Sequence, residues 1–477
     1  FYQELDRPKG ALRNPGDIEV LMTEALESDG DFRIGVSTAT DLTWKQRLEL
    51  DSCTSCGRCQ DVCPAYNSGK ILSPKWLILD NREHMLKLSR VQEKSFRSEF
   101  PLFKALDKLD LLLLKLLNLP EDLVRARNQL VQNEAKIAVG VSADQKLAGG
   151  VVAEDVYWSC TSCRACVEVC PVGIEHVDHI MEVRRSLALM EGSIPSEAQP
   201  ILKAIETRGN PLGPKEDRVN WADGQPVRVL KEGEEVEVLY WVGCISAFDK
   251  RKQSIARSMV KILNASGLSW GILGEKECCT GDPARRIGEE NLFQQMVKTN
   301  TPTLKSVTFK TLVANCPHCF NSLKNEYPQF SGDWPFEVVH HSHFIQNLLK
   351  SGKIKPEKLD SLNVTFHDPC YLGRYNDTYE EPREILVQLG GARMTEMKAN
   401  KERGLCCGAG GGHYWYDMKV GERVNVQRVD QAAATGASTV ATGCPFCMQM
   451  MEDGVKLTGR EDSISVKDIA ELVAEGL

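Results

Sequence analysis

Thr311-Leu-Val-Ala-Asn-Cys-Pro-His-Cys319 reads as an apolar strand that turns through a C-x-x-C pair into a helix. The arrangement returns downstream, where Thr442-Gly-Cys-Pro-Phe-Cys447 parallels Ala314-Asn-Cys-Pro-His-Cys319. Cys278, Cys279, Cys316 and Cys319 are matched by Cys406, Cys407, Cys444 and Cys447 at an offset of 128 positions (406 − 278, 447 − 319), and Cys244 is matched by Cys370 at 126. An offset held by four cysteines marks a duplication. Ahead of the first C-x-x-C, Val236 to Gly243 reads as a strand ending at Cys244, and Ser254 to Leu263 as a helix with Ile255, Met259 and Ile262 inward. Strand and helix alternate, so an α/β layer architecture is expected for both copies.

Toward the N-terminus the cysteines follow a different rule. Cys53-x2-Cys56-x2-Cys59-x3-Cys63-Pro64 and Cys160-x2-Cys163-x2-Cys166-x3-Cys170-Pro171 match the bacterial ferredoxin run for a cubane [4Fe–4S] cluster. Three close thiolates wrap one cluster and the fourth, before proline, serves the other. Cys53, Cys56, Cys59 and Cys170 are therefore expected on one cubane, and Cys160, Cys163, Cys166 and Cys63 on the second. Zinc is the alternative, but its ligands come as two separated pairs, whereas here four cysteines fall within eleven residues. Between the motifs, Leu106, Leu109, Leu113 and Leu116 share one helical face, read as a helix packed on its own domain rather than on a membrane surface.

The chain has 477 residues, enough for two to four domains. A net charge of −8 with 26% charged residues leaves no basic excess, which argues against a nucleic-acid partner. All eighteen cysteines fall in the four groups just described, a pattern of metal thiolates in a reducing compartment rather than a secreted disulfide framework, so cytoplasm is expected. The longest apolar run, Leu109 to Leu119, is short and broken by Asp110 and Lys115, so no membrane span is expected. The chain starts at Phe1 rather than Met, and an upstream segment is expected to have been removed or left out. Residues 1–43 are polar and read as an extended docking arm with one short helix, Asp17 to Glu27. Residues 44–191 form a helical ferredoxin module, 192–233 a Pro-, Gly- and charge-rich linker, and 234–355 and 356–477 the two cysteine-rich copies.

Each copy supplies five thiolates, one more than a cubane needs. Adjacent cysteines suit bridging of neighbouring irons, so an expanded, non-cubane cluster explains the count best. A cubane with a spare thiol, a zinc site and a redox disulfide remain open alternatives on spacing alone. Gly408-Ala-Gly-Gly-Gly412 lacks the strand, helix and acidic context of a dinucleotide loop, and close backbone approach to a cluster is the better use of those glycines. His413 and His367, the latter in His367-Asp-Pro-Cys370, are candidates to donate a proton to a departing thiolate or to stabilise a reduced cluster, set against a plain hydrogen-bonded core role. His340, His341 and His343 read as structural.

One cysteine, then Cys-Cys-Gly, then C-x-x-C, duplicated after two ferredoxin motifs, resembles the CCG domains of the heterodisulfide reductase family, and in particular its D-type catalytic component, in which the ferredoxin and CCG parts are fused, from about Thr43 to the end. The resemblance implies a helical ferredoxin-like two-cluster module followed by two α/β CCG domains, with a non-cubane [4Fe–4S] cluster in each complete motif and disulfide cleavage between them. By position, Cys370, Cys406, Cys407, Cys444 and Cys447 with Gly408 match the C-terminal motif and would be catalytic together with His367 and His413. Cys244, Cys278, Cys279, Cys316 and Cys319 match the N-terminal motif, where Thr280 takes the glycine position and Gly281 follows, so the count is one or two non-cubane clusters.

Arg7-Pro-Lys-Gly-Ala-Leu12 and Leu42-Thr-Trp-Lys45 resemble the stretch that joins a cytochrome b-like membrane domain to the ferredoxin module in fused members. That resemblance implies an iron–sulfur oxidoreductase on the inner face of the membrane, relaying electrons from a partner such as an electron-transfer flavoprotein to a cytochrome b subunit or domain and the quinone pool. The alternative it implies is a reductase of a disulfide, heterodisulfide or sulfur-carrier protein. A purely structural iron–sulfur protein would leave both five-cysteine motifs without use.

Overall fold

The computed structural model describes residues 7–28, 32–99, 142–359, 362–389 and 393–477; the leucine stripe of Leu106 to Leu116 lies outside them. The duplicated half folds as two four-stranded parallel sheets of identical topology. The first holds β1 (Val238–Trp241), β2 (Trp270–Gly271), β3 (Thr311–Ala314) and β4 (Glu337–His340) in the order β2-β1-β3-β4. The second repeats it as β6-β5-β7-β8, with β5 at Asn363–Phe366, β6 at Arg393–Met394, β7 at Thr439–Thr442 and β8 at Ser465–Asp468. In register Tyr240 faces Val313 and Val313 faces Val339, while Thr365 faces Val440 and Val440 faces Val466. Parallel strands covered on both faces need apolar side chains throughout, and Val238, Leu239, Tyr240 and Trp241 are all buried.

In such sheets a crevice opens at the carboxyl ends of the strands where the order reverses, here between β1 and β3 and between β5 and β7. Cys244 and Cys316 follow β1 and β3 directly, and Cys370 and Cys444 follow β5 and β7. The topology thus brings to one point cysteines that are far apart in sequence.

One apolar core joins the two sheets, with Val238, Tyr240 and Val313 from the first beside Val364, Phe366 and Ala441 from the second. Helix Gln253–Ala265 buries Ile255, Met259 and Ile262, as its periodicity predicts, and packs on the C-terminal helix Ile469–Glu475. Each buried side chain of that size contributes about 1.5–3 kcal/mol. Polar contacts close the seam. His340, at the end of β4, places Nε2 3.0 Å from Gly443 O, and His341 Nε2 lies 2.9 Å from Asp468 Oδ1 at the end of β8. Both are buried and structural, whereas His343 is half exposed beside Glu381.

The ferredoxin-like part is helical, and its long helix His176–Met190 is buried along nearly its whole length. Among the described residues no helix is long and apolar enough to cross a membrane. Residues 192–233 are more than a tether. They carry helix Gln199–Arg208 and a 3-10 stretch, Lys215–Ala222, that buries Arg218 and Trp221 against the first copy. Composition reads there as linker because the few apolar anchors are spaced among prolines, glycines and charges. The N-terminal arm lies on its own chain. Ala11 and Leu12 are buried, Arg7 pairs with Glu175 and Asp178, Leu12 N–H donates to Glu326 at 3.2 Å, and the short helix runs Ile18–Ser28.

Candidate metal centres

Cys53, Cys56, Cys59 and Cys170 line one small cavity with Gly57, Val172 and His176, and of the four only Cys56 is exposed. Cys56 is drawn down, first by the Arg58 N–H, whereas burial and then the neighbouring sulfurs push Cys59 up to about 11. Cys63 is carried to the second motif: burial raises it, and Cys163 and Cys160 raise it further. Cys166 is raised by burial and then by Cys163, Cys160, Cys63 and Cys59, thiols of both motifs. Left-handed Ser55 with Gly57, and Ser162 with Arg164, turn the backbone alike in both motifs, and Ser162 N–H donates to Cys160 Sγ at 3.3 Å.

The C-terminal set follows without a gap. Cys406 lies with Cys163 and Cys370 in one buried cluster, and those two thiols draw it down, while Cys407 is lowered by Cys406 and Cys447. Burial pushes Cys444 up, but hydrogen bonds with Cys316 and Cys447 bring it to about 6. Cys316 shares a buried cluster with Cys444 and leads into the N-terminal set, where Cys279 draws Cys244 down and burial pushes Cys316 up. Gly408 N–H donates to Cys406 Sγ at 3.3 Å, and Gly281 N–H to Cys279 Sγ at 3.4 Å, both glycines at positive φ. With Thr280 in the glycine position and Gly281 one residue later, the glycine N–H reaches the second cysteine of the pair rather than the first. Thr280 Oγ1 turns instead to Cys319 Sγ, at 3.9 Å.

Gly408-Ala-Gly-Gly-Gly412 approaches the second ferredoxin motif: a Cβ on Gly411 would stand 2.1 Å from Cys160 O, and one on Gly410 2.3 Å from Thr161 O. Arg184 fixes that junction. Its guanidinium, fully buried, donates to Tyr157, Trp158, Cys160, Arg286 and Gly411 carbonyls. His413 stands here, its ring tilted against Tyr416 at 4.6 Å and pushed down to about 3 by burial and Arg184. His367 is at the C-terminal set itself, grouped with Cys407 and Cys447 within 4.8 Å, and its Nδ1 accepts from Arg428 Nε at 2.9 Å.

His318 joins the site without a motif to announce it, because it sits in the spacer of C-P-H-C. Its Nδ1 lies 2.8 Å from Asp282, which Arg286 also holds at 2.9 Å; its ring stacks 4.0 Å from Tyr371 and meets Phe446 edge-on at 5.4 Å. The one signal in the sequence is the contrast between His318 and Phe446, its counterpart in the second copy.

The donor set fits an iron–sulfur group. Buried thiols this close oppose one another's ionisation, which a bound cationic centre relieves. Arg374 Nη2, Arg428 Nη2, His367 Nε2 and Arg218 Nε are buried without any hydrogen-bond acceptor, as suits sites that receive acceptor sulfurs.

Comparison with known proteins agrees with this layout. A 4Fe-4S dicluster domain matches residues 45–171, and a cysteine-rich domain matches residues 238–324 and again 364–452. The chain is 39% identical over 457 residues to a probable iron-sulfur-binding oxidoreductase, FadF, of Bacillus subtilis, covering 93% of this chain and 62% of the relative. It is 38% identical over 452 residues to an EtfAB:quinone oxidoreductase of Syntrophomonas wolfei, covering 92% and 60%. It is 31% identical over 450 residues to the D component of the dihydromethanophenazine:CoB–CoM heterodisulfide reductase of Methanosarcina mazei, covering 92% of this chain and 96% of that one. The chain thus spans nearly all of the last but only 62% and 60% of the first two.

Proposed function

This chain belongs to the D-type heterodisulfide reductase family of iron–sulfur oxidoreductases, and from that premise we propose that it conducts electrons between an electron-transfer flavoprotein and a membrane cytochrome b that serves the quinone pool. When bound, its [4Fe–4S] clusters, non-cubane ones included, supply one-electron carriers. In this reading Cys53, Cys56, Cys59 and Cys170 hold one cubane and Cys160, Cys163, Cys166 and Cys63 the other. Cys370, Cys406, Cys407, Cys444 and Cys447 hold a non-cubane cluster, and Cys244, Cys278, Cys279, Cys316 and Cys319 a second. In the same reading the ferredoxin module is residues 44–191 and the CCG domains 234–355 and 356–477, with residues 192–233 counted as a cover on the first CCG domain.

The observation that carries the relay is the continuity of sulfur. Cys163 shares one buried cluster with Cys370 and Cys406, and Cys316 and Cys319 share another with Cys444 and Cys447 that also takes in Cys59 and Cys166, so the four sets adjoin one another. The chain holds three of the four sets in its interior and leaves Cys56 at the surface, with exposed Trp76 and Val172 on neighbouring segments for a partner to cover. That face is proposed to meet the membrane cytochrome on its inner side. A disulfide reductase would need room between the two five-cysteine sets, and there His318 stacks on Tyr371 and meets Phe446 edge-on. The relay reading has His318 and Tyr371 exclude water from this junction, and Asp282 and Arg286 keep the imidazole in place.

Redox-poised EPR on the anaerobic protein tests this, mixed with reduced electron-transfer flavoprotein and, separately, with an added disulfide. Reduction by the flavoprotein with no disulfide-dependent signal is expected, together with about sixteen irons per chain for four [4Fe–4S] groups. A paramagnetic signal that appears only with the disulfide overturns the relay in favour of a disulfide, heterodisulfide or sulfur-carrier reductase.

A further inference from the structure

We infer that the two five-cysteine sets are electrically unequal, and that an electron reaching them comes to rest on the C-terminal set. The inference rests on the reading above that both sets hold an iron–sulfur group. An electron that enters the five-cysteine sets adds one negative charge to the set that receives it, whichever side delivers it. The set that gains it more readily is the one surrounded by uncompensated positive charge and free N–H donors.

Around the C-terminal set two guanidiniums are buried without an ion pair among the described residues. Arg374 donates from Nε to Cys163 O at 2.6 Å and from Nη1 to Gly404 O at 2.8 Å and Glu402 O at 3.2 Å, leaving Nη2 unmatched. Arg428 donates to His367 Nδ1 and, from Nη1, to Ala399 O at 2.7 Å and Gln431 Oε1 at 2.8 Å, and its Nη2 is also unmatched. Because a guanidinium only donates, His367 Nδ1 is the acceptor and the ring hydrogen sits on Nε2, a third unmatched donor beside Cys407 and Cys447. His367 is therefore a hydrogen-bond donor to this set and not an iron ligand. The neighbouring carboxylate, Asp368, is occupied by Arg383 at 2.8 and 3.1 Å.

At the N-terminal set the buried charges cancel, and Lys215, the other cation acting on Cys278, is exposed to solvent. Its guanidinium, Arg218, is paired with buried Glu277, which also accepts Val242 N–H at 3.0 Å and Gly243 N–H at 2.8 Å. The duplication supplies an internal control at the same offset of 128: Glu277 corresponds to Leu405, and Asn300 to Arg428. Asn300 takes Cys278 N–H and gives to Cys279 O, holding the loop with no charge. Two equivalent positions thus make the C-terminal site two charges more positive.

The test is redox-poised EPR of the anaerobic, cluster-loaded full chain with iron counted in each sample. In the unaltered protein the C-terminal midpoint is expected above the N-terminal one. Arg428→Gln is expected to move the C-terminal midpoint to more negative potential with iron content unchanged, and Arg428→Lys, which keeps the charge, to restore most of the shift. Glu277→Gln is expected to move the other midpoint to more positive potential, which also assigns each signal to its set. Equal or inverted midpoints in the unaltered protein overturn the inference. So do midpoints that stay fixed in both Arg428→Gln and Glu277→Gln with full iron; should Arg428→Gln fail to fold, the absence of a positive shift in Glu277→Gln overturns it alone. About eight irons per chain, with cubane signals only, overturns the four-cluster reading as well and is a distinct result.

Discussion

Asp282 shows how far a single carboxylate reaches in this molecule. Burial raises it, yet His318 and Arg286 hold it well below the ordinary carboxylate value of 3.8. A group whose folded pKa is depressed contributes stability that is present above the unfolded value and lost as pH falls through the folded one. Asp282→Asn is therefore expected to lower the thermal midpoint at neutral pH, through the loss of about 3–5 kcal/mol that breaking a buried pair costs. The gap between variant and parent, followed by circular dichroism, should shrink as pH drops below 3.8. A gap that does not change with pH would remove Asp282 from the account. At this scale the cysteines are legible in the sequence because ligand spacing is a local property of the chain. His318, Arg374 and Arg428 are not, since each draws its role from partners far away in sequence, such as Asp282, Cys163 and His367.

Among the elements, β3 falls where the apolar run Thr311–Ala314 predicts it, and β1 is shorter than the run Val236 to Gly243, because the chain must turn at Gly243 to deliver Cys244. The glycine-rich loop is legible as a place of close approach, but its target is not. Gly410 and Gly411 press on the backbone of Thr161 and Cys160, on another module. Gly411 has a φ of 65°, so a side chain there meets both an unfavourable backbone region, costing about 1–2 kcal/mol, and the Cys160 carbonyl. Gly411→Ala is expected to lower the thermal midpoint and to diminish the cubane signal of the Cys160 group in EPR, while the Cys53 group keeps its own. An unchanged spectrum with unchanged iron would show that the loop yields freely. The segment 192–233 illustrates the reverse problem. Its prolines and glycines speak for a loop, and only the packing of Trp221 and Arg218 makes it a cover over the first copy.

The molecule as a whole is two copies of one unit joined to a helical two-motif module, and the arm that precedes them lies in a groove of the same chain. Its far-reaching contacts, such as Arg7 to Glu175 and Leu12 to Glu326, have no signature in composition. The seam between the copies includes a buried donor–acceptor pair, His341 to Asp468. A double-mutant cycle on His341→Gln and Asp468→Asn should give effects on unfolding that do not add, with a coupling of about 0.5–3 kcal/mol. Strict additivity would mean that the seam is held by its apolar core alone. The seam is also asymmetric in a way that bears on how such a chain arises. His340 and Asp468 are equivalent positions of the duplication, each accepting from the start of the following helix, Ser342 N–H in one copy and Ala470 N–H in the other. Two identical N-terminal halves meeting here would set His341 against a second histidine, and two C-terminal halves would set Ile469 against Asp468. Once both halves are inherited on one polypeptide, each face is free to drift toward what the other lacks, and the match becomes a private lock that neither half can offer to a stranger.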